Sequence, residues 1–206
     1  MTKQHRFIVL GTGGAFTYNV IKRLVEQEYK PAAYIQSGDK PHQTQASFAN
    51  IELDILKPQS ALSRLLQLYK IPTHYQLQLE LQKFIKQLNI DFMLVACWPT
   101  LIHNDVILSI SKAALNLHPS LLPKYRGIDP IINQLKTDDI NFGISLHLIS
   151  DTYDSGDIVL QQSLDSINNL DKSRIEKEAA KKGADLFIQA INTHQNPGWK
   201  LIKQRT

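Results

Sequence analysis

The chain has 206 residues, of which 43% are hydrophobic and 20% charged, the balance of an ordinary soluble globular protein with one domain. Its net charge of +4 is spread along the sequence without a dense basic cluster, which argues against a dedicated nucleic-acid binder. The single cysteine, Cys97, excludes a disulfide framework and a cysteine-based metal site. No apolar run reaches the length of a signal peptide or a membrane span, so we expect a cytoplasmic protein with no membrane partner.

Strands and helices are predicted to alternate along the chain. In order, the patterns predict a strand at 7–10, a helix at 18–28, a strand at 31–36, a helix at 58–69, a short strand at 71–74, a helix at 77–88, a strand at 92–97, a helix at 106–111, strands at 114–118, 142–149 and 158–163, and a helix at 171–191. The polar segment 38–47 is expected to be a surface loop, and Asp171 and Ser173 are capping candidates for the last helix. This order predicts an α/β fold with a doubly wound, mostly parallel sheet.

A glycine loop follows the first strand and opens the first helix. It reads Gly11, Thr12, Gly13 and Gly14, which is the position of a dinucleotide-binding fingerprint. Phe16, however, stands where close packing of helix and strand needs a small residue, and no acidic residue ends the second strand. The lysine of a P-loop is missing as well. We therefore predict a loop whose backbone N–H groups contact a phosphate, rather than a nicotinamide site.

Asn116 and His118 stand two residues apart at the end of a predicted strand that stops at Pro119. Side chains at i and i+2 of a strand leave from the same face, and open α/β sheets bind ligands at the carboxyl ends of their strands. The pair thus offers an amide donor and a titratable imidazole to one site. Taken alone, the pattern also fits a strand end with a buried, satisfied histidine.

Three aspartates, Asp151, Asp154 and Asp157, follow in a turn-rich segment between two strands. Their spacing does not match a calcium loop, and the other interpretation is a solvated loop with Asx turns around Gly156. A loop aspartate could orient the histidine and raise its pKa, while the asparagine donates to a developing oxyanion. Such a set suits acyl transfer without a covalent enzyme intermediate. No metal site is expected.

At these residues the chain resembles the N10-formyltetrahydrofolate-dependent formyltransferases, which include methionyl-tRNA formyltransferase, glycinamide ribonucleotide transformylase and the amino-sugar N-formyltransferases. The resemblance rests on Asn-Leu-His-Pro-Ser-Leu-Leu-Pro at 116–123, Tyr-Arg-Gly at 125–127, Gly-Ile-Ser-Leu-His at 143–147 and Asp-Ser-Gly-Asp-Ile-Val-Leu-Gln at 154–161. It covers roughly residues 7–191 and implies a Rossmann-like formyltransferase fold. We expect a catalytic domain at 1–191 and a short C-terminal tail at 192–206.

The resemblance implies a catalytic triad of Asn116, His118 and Asp154 and a co-substrate, N10-formyltetrahydrofolate. Asn116 would stabilise the tetrahedral oxyanion, His118 would transfer protons, and Asp154 would hold His118 in the useful tautomer. His147, on the neighbouring strand, is interpreted as structural. The positions implied to line the folate site come from two segments and are Trp98, Leu101, Ile149, Ser150, Asp151 and Tyr153.

The resemblance leaves the acceptor amine open. Little more than a helix follows Gln161, which disfavours tRNA, and the Gly-Thr-Gly-Gly loop departs from the phosphate loop of the purine enzymes. We therefore expect a small-molecule acceptor, namely a nucleotide-linked amino sugar, with glycinamide ribonucleotide and methionyl-tRNA as alternatives. A formyl-folate hydrolase and a non-catalytic folate binder are further alternatives, and a homodimer is left open. The expected acceptor contacts are Gly11, Thr12, Gly13, Lys124 and Arg126.

Overall fold

A computed structural model describes the protein at residues 5–38, 60–75, 78–137, 139–164, 171–194 and 198–204. Strands and helices alternate through most of this part, as the sequence predicts. In chain order they are β1 (Phe7–Gly11), α1 (Ala15–Glu26), β2 (Ala33–Gln36), α2 (Ala61–Leu68), β3 (Thr73–Tyr75), α3 (Gln78–Leu88), β4 (Phe92–Ala96), α4 (Asn104–Ile107), β5 (Ala113–His118), α5 (Pro130–Leu135), β6 (Gly143–Leu148), β7 (Ile158–Ser163) and α6 (Lys172–Thr193). The predicted loop at 38–47 lies outside the described residues beyond Gly38.

Seven strands form one sheet in the order β3-β2-β1-β4-β5-β6-β7. Strands β1 to β5 pair in parallel, whereas β6 is antiparallel to both β5 and β7. The prediction of a doubly wound, mostly parallel α/β sheet is confirmed. The chain leaves β1 toward one edge and returns through β4 toward the other, so the topological switch point lies between β1 and β4, at Gly11 and Ala96.

The central strands are covered on both faces, because consecutive residues enter opposite halves of the core. In β4, Phe92 and Leu94 join the apolar cluster that contains residues of α1 and α6. Met93 and Val95 join the cluster on the other side, against α3 and α4. This burial on both faces is why β4 reads as an unbroken apolar run instead of an alternating one.

Some boundaries differ from the prediction for local reasons. Helix α1 begins at Ala15, directly after Gly14, and β4 stops at Ala96 because Cys97 takes a left-handed φ of 69°. Helix α4 ends by Ile107 rather than 111, since the hydroxyl groups of Ser109 and Ser111 bond to backbone carbonyls and compete with helical pairing.

Two helix starts show how local chemistry decides a terminus. Helix α5 was not predicted, because its six residues are too few to show a period, although Pro130 at its first turn favours a helix start. Asp171 caps α6, as predicted, through its carboxylate, which accepts the N–H of Arg174 at 2.9 Å. Ser173 lies inside that helix and is not the cap.

Helix α1 is anchored to the switch point by a buried hydroxyl. Oγ1 of Thr17 donates to the carbonyl oxygen of Ala96 at 2.7 Å, and the side chain is fully buried. Gly11 lies so close that a Cβ there would clash with both the Thr17 side chain and this carbonyl. The first turn of α1, the end of β1 and the end of β4 are therefore held together at one point.

We expect Thr17→Val to lower the free energy of unfolding by about 1–3 kcal/mol, because the buried Ala96 carbonyl loses its donor without a large change in shape. Urea unfolding of both proteins measures this. Thr193→Val is the matched control, since its hydroxyl bonds back to the carbonyls of Gln189 and Ala190 in its own helix, at the half-exposed end of α6. An equal loss in both variants would contradict the role given to Thr17.

Candidate active site

Asn116 and His118 meet Asp154 at the carboxyl end of β5. Nδ2 of Asn116 donates to Oδ1 of Asp154 at 3.2 Å, and Nδ1 of His118 lies 3.3 Å from Oδ2 of the same carboxylate. The side chains of His118 and Asp154 are only 5% and 11% exposed. The structure thus brings together three residues that the sequence separates into a strand end and a distant loop.

The loop that carries Asp154 is held closely against β6. Asp154 itself has a left-handed φ of 51°, a conformation that aspartate tolerates better than most residues. Two residues later, the Cα of Gly156 lies so near the carbonyl of Leu148 that a Cβ would clash with it. The N–H of Leu148 also donates to the carbonyl of Asp157 at 3.0 Å. These contacts fix the turn from which the carboxylate projects.

A second loop reaches the same carboxylate from the other side. The backbone N–H of Gly127 donates to Oδ2 of Asp154 at 2.9 Å. Upstream, a buried hydroxyl network holds this loop, in which Oγ of Ser145 donates to the carbonyl of Ser120 at 2.6 Å and accepts the N–H of Leu122 at 3.0 Å. The segment between β5 and α5 is therefore pinned to β6 and to Asp154.

His147 lies inside the cluster, directly opposite Asn116 in the antiparallel β5–β6 pairing. Its Nδ1 lies 2.8 Å from the carbonyl of Leu148, and because a carbonyl only accepts, we assign a proton to Nδ1. Its Nε2 then accepts the Asn116 amide at 3.0 Å. The two amide hydrogens of Asn116 point to His147 and Asp154, which fixes how the amide faces.

Both ring nitrogens of His118 are engaged. Nε2 lies 2.7 Å from the carbonyl of Tyr125 and therefore carries a proton, so Nδ1 of the neutral ring presents a lone pair to Asp154. Burial lowers the pKa of His118, and the opposing effects of the Asp154 charge and the Tyr125 carbonyl do not overcome it. His118 is thus a neutral base whose protonated form would make an ion pair with Asp154.

Asp154 stays ionised despite its burial. Burial alone would raise its pKa, but the imidazoles of His147 and His118, when protonated, and the Gly127 N–H together bring that pKa below the usual value. A buried carboxylate that keeps its charge can stabilise a positive charge on His118. The arrangement can therefore take up a proton and hold it next to an amide donor.

The residues expected to line the folate site differ in their burial and in their contacts. Trp98 and Ile149 both pack, half-buried, against the apolar cluster on the α3 and α4 side of the sheet. Nε1 of Trp98 is buried and has no hydrogen-bond partner among the described residues. Leu101 and Tyr153 are 41% and 52% exposed. Asp151 is also exposed, while the Ser150 hydroxyl bonds within its own loop to the carbonyl of Thr152 at 2.9 Å.

The expected acceptor contacts lie in two loops, the glycine loop between β1 and α1 and the loop between β5 and α5. Gly11 ends β1 at the switch point, while Thr12 and Gly13 lead into α1, with Gly13 at a φ of 84°. Lys124 pairs with Asp139 at 3.1 Å, and the pKa of Asp139 falls to about 2, first through the Asn141 N–H and then through Lys124. The guanidinium of Arg126 binds another side chain, that of Gln204.

Sequence reasoning missed the contacts of His147, Gly127 and Gln204 around the cluster. The alternation of β6 could have placed His147 on one face, but only the register shows that it lies opposite Asn116. Among the described residues no group of three or more potential ligands is arranged to hold a metal ion. No helix in the described ranges is long and apolar enough to cross a membrane.

A family model described as formyl transferase matches residues 5–191. A methionyl-tRNA formyltransferase of Syntrophomonas wolfei subsp. wolfei is 27% identical over 91% of this chain, which spans only 57% of that relative. The solved glycinamide ribonucleotide transformylase 1 of Symbiobacterium toebii has a TM-score of 0.70 at 14% identity, covering 98% of this chain and 96% of that chain. A sugar 3N-formyl transferase, solved in the presence of dTDP and 5-N-formyl-THF, has a TM-score of 0.61 at 20% identity, with coverage of 98% and 67%.

We expect the pKa of His118 to lie below its usual value of about 6.5 and to fall further in Asp154→Asn, because the Asp154 charge raises it. Titration of the His118 Cε1 carbon by NMR, assigned with a His118→Gln variant, measures both values. Asp157→Asn is the matched control, since it removes a charge from the same loop without touching the cluster's contacts. A higher pKa in Asp154→Asn would contradict the assigned coupling.

Proposed function

Because the chain belongs to the formyl transferase family, we propose that it transfers a formyl group from N10-formyltetrahydrofolate to the primary amine of a nucleotide-linked amino sugar. The observation that carries the proposal is the shared contact of Asn116 and His118 with the buried carboxylate of Asp154. Formyl transfer needs a donor for the developing oxyanion and a base for the amine proton, and these two side chains supply them.

Asn116 serves as the oxyanion donor. Of its two hydrogen bonds, the one to Asp154 is the longer, at 3.2 Å against 3.0 Å for the one to His147. The N–H toward Asp154 is the one that a nearby formyl oxygen could share, while the bond to His147 keeps the planar amide in place. His147 then has an orienting role in addition to its structural one.

His118 serves as the proton carrier. The amine nitrogen bonds to the formyl carbon and gives its proton to His118, which is neutral because burial lowers its pKa. The imidazolium that forms satisfies both the Tyr125 carbonyl and Asp154. The same proton then goes to N10 of the folate as the carbon–nitrogen bond to the formyl group breaks, which restores neutral His118.

Trp98 and Ile149 fit the folate part of the co-substrate. The two side chains pack on one apolar cluster, and the unpartnered Nε1 of Trp98 provides a buried donor for a polar group of a bound ring. Folate supplies the activated formyl group when bound, and these residues hold its pterin. The exposed Tyr153 and Asp151 would contact its more polar part.

The glycine loop supports an acceptor with a phosphate group. Helix α1 has no side-chain cap at Gly14 and no acidic residue in its first turn, so its N–H groups can receive an anion. Gly11 pairs with Ala96, and Val95 pairs with Asn116, which sets this loop two strands, about 10 Å, from the catalytic asparagine. A nucleotide-linked amine can span that distance.

Methionyl-tRNA is the second candidate acceptor, since a curated relative at 27% identity carries that activity in its name. The scattered basic residues do not by themselves provide a tRNA surface. Glycinamide ribonucleotide would also place a phosphate at the glycine loop. The three acceptors differ in the chemical group that lies between the amine and the phosphate. Comparing product formation with each of them therefore distinguishes the three proposals.

We expect formylated product with a dTDP- or UDP-linked amino sugar, and much less with glycinamide ribonucleotide or methionyl-tRNA, when each is supplied with N10-formyltetrahydrofolate. Mass spectrometry of the acceptor and absorbance of the released folate measure the reaction together. Folate release without any acceptor would indicate a hydrolase instead. Product only with methionyl-tRNA would overturn the sugar proposal and keep formyl transfer.

We expect His118→Ala to lower kcat by about 10²–10⁴-fold, because the cluster loses the base proposed to take the amine proton. The dissociation constant for 5-formyltetrahydrofolate, measured by titration calorimetry, should change little. His103→Ala serves as a control, since His103 is an exposed residue at the start of α4. Unchanged turnover in His118→Ala would remove the proposed mechanism.

A further inference from the structure

Residues 198–204, which follow α6, lie against the loop that carries Asp154. Ile202 forms an antiparallel bridge with Ile158 at the start of β7, with both N–H···O distances at 2.9 Å. This pairing carries Gln204 alongside Asp154 and Gly156. Gln204 is half-buried, whereas the three residues before it are exposed. Its side chain is therefore the one in residues 201–204 that packs against the rest of the protein.

The carboxamide of Gln204 uses its full hydrogen-bonding capacity. Nε2 donates to the carbonyl of Asp154 at 3.0 Å and to the carbonyl of Gly156 at 2.6 Å. Oε1 accepts from Nε of Arg126 at 3.0 Å and from its Nη2 at 2.6 Å. A glutamine amide has two N–H donors and two acceptor lone pairs, and all four are used here.

These contacts tie together the two loops that meet at the carboxylate. The loop before α5 already touches Asp154 through the Gly127 N–H at 2.9 Å. Arg126 and Gln204 add a second connection, which reaches the backbone on either side of the turn. Gly127 and Asn116 hold the carboxylate itself, and the Gln204 contacts add a hold on the backbone of the turn from which it projects.

We propose that Gln204 is a positioning residue for formyl transfer, which holds Arg126 and the Asp154 turn in register so that the carboxylate faces His118. This inference rests on the proposed catalytic function of the cluster. Gln204 does not touch the reacting atoms and acts through Asp154. Its effect is therefore expected on the chemical step and on His118, not on folate affinity.

Gln204→Leu removes all four hydrogen bonds at similar volume, and we expect kcat to fall by at least about tenfold while folate binding is retained. The pKa of His118 should fall as well, in the same direction as in Asp154→Asn, because the carboxylate is less well aligned. Lys203→Ala is the control, being exposed on the neighbouring position. Wild-type kcat and a wild-type His118 pKa in folded Gln204→Leu would overturn the proposal.

Gln204→Glu tests whether the hydrogen bonds to Arg126 or those to the Asp154 turn matter for kcat. A carboxylate still accepts from Arg126 but cannot donate to the two carbonyls. If the turn is what Gln204 positions, Gln204→Glu should lose kcat as Gln204→Leu does. Recovery of wild-type kcat by Gln204→Glu would assign the effect to Arg126 alone and overturn the role at Asp154.

Measuring the pKa of His118 by NMR distinguishes failure of the positioning role from failure of the proposed formyl transfer. If the wild-type protein formylates no amine, the catalytic function fails, while the His118 pKa in Gln204→Leu still reports the coupling. If the wild-type protein is active and the two Gln204 variants match it in both kcat and His118 pKa, only the positioning role fails. Thermal unfolding of each variant confirms that the comparison is between folded proteins.

Discussion

The site depends on one buried charge, the carboxylate of Asp154. A carboxylate that is 11% exposed is costly unless its oxygens are hydrogen-bonded or paired. Here Oδ2 takes the Gly127 N–H and faces His118, while Oδ1 takes the Asn116 amide. The need to satisfy this charge therefore draws two loops and a strand end together, and the same contacts that stabilise it arrange the side chains of Asn116 and His118.

The change of strand direction in the sheet makes this arrangement possible. Parallel pairing brings the ends of β1, β4 and β5 to one edge, which collects the glycine loop and Asn116. The antiparallel β6 then sets His147 opposite Asn116 and ends beside Leu115, away from this edge. The loop that follows brings Asp154 back against Asn116 and His118.

The sequence predicted the α/β fold and a common face for Asn116 and His118, because side chains at i and i+2 of a strand leave from the same side. That Asp154 joins them was implied by the resemblance to the formyltransferases. The sequence did not predict the direction of β6, since an alternating pattern fits either pairing. It also missed the position of His147 opposite Asn116 and the hydrogen bonds from Gln204 to the backbone of the Asp154 turn. These depend on strand register and on contacts between segments far apart in sequence, which local periodicity does not encode.

In the proposed reaction, the fold separates recognition of the acceptor's phosphate from chemistry at its amine. The uncapped start of α1 provides N–H groups for an anion, and the Asp154 cluster provides a base and an oxyanion donor two strands away. Because Thr17 fixes α1 to β4, this separation is rigid. In the proposed reaction an acceptor must therefore carry its phosphate and its amine at a matching distance, so the sheet limits the size of the acceptor.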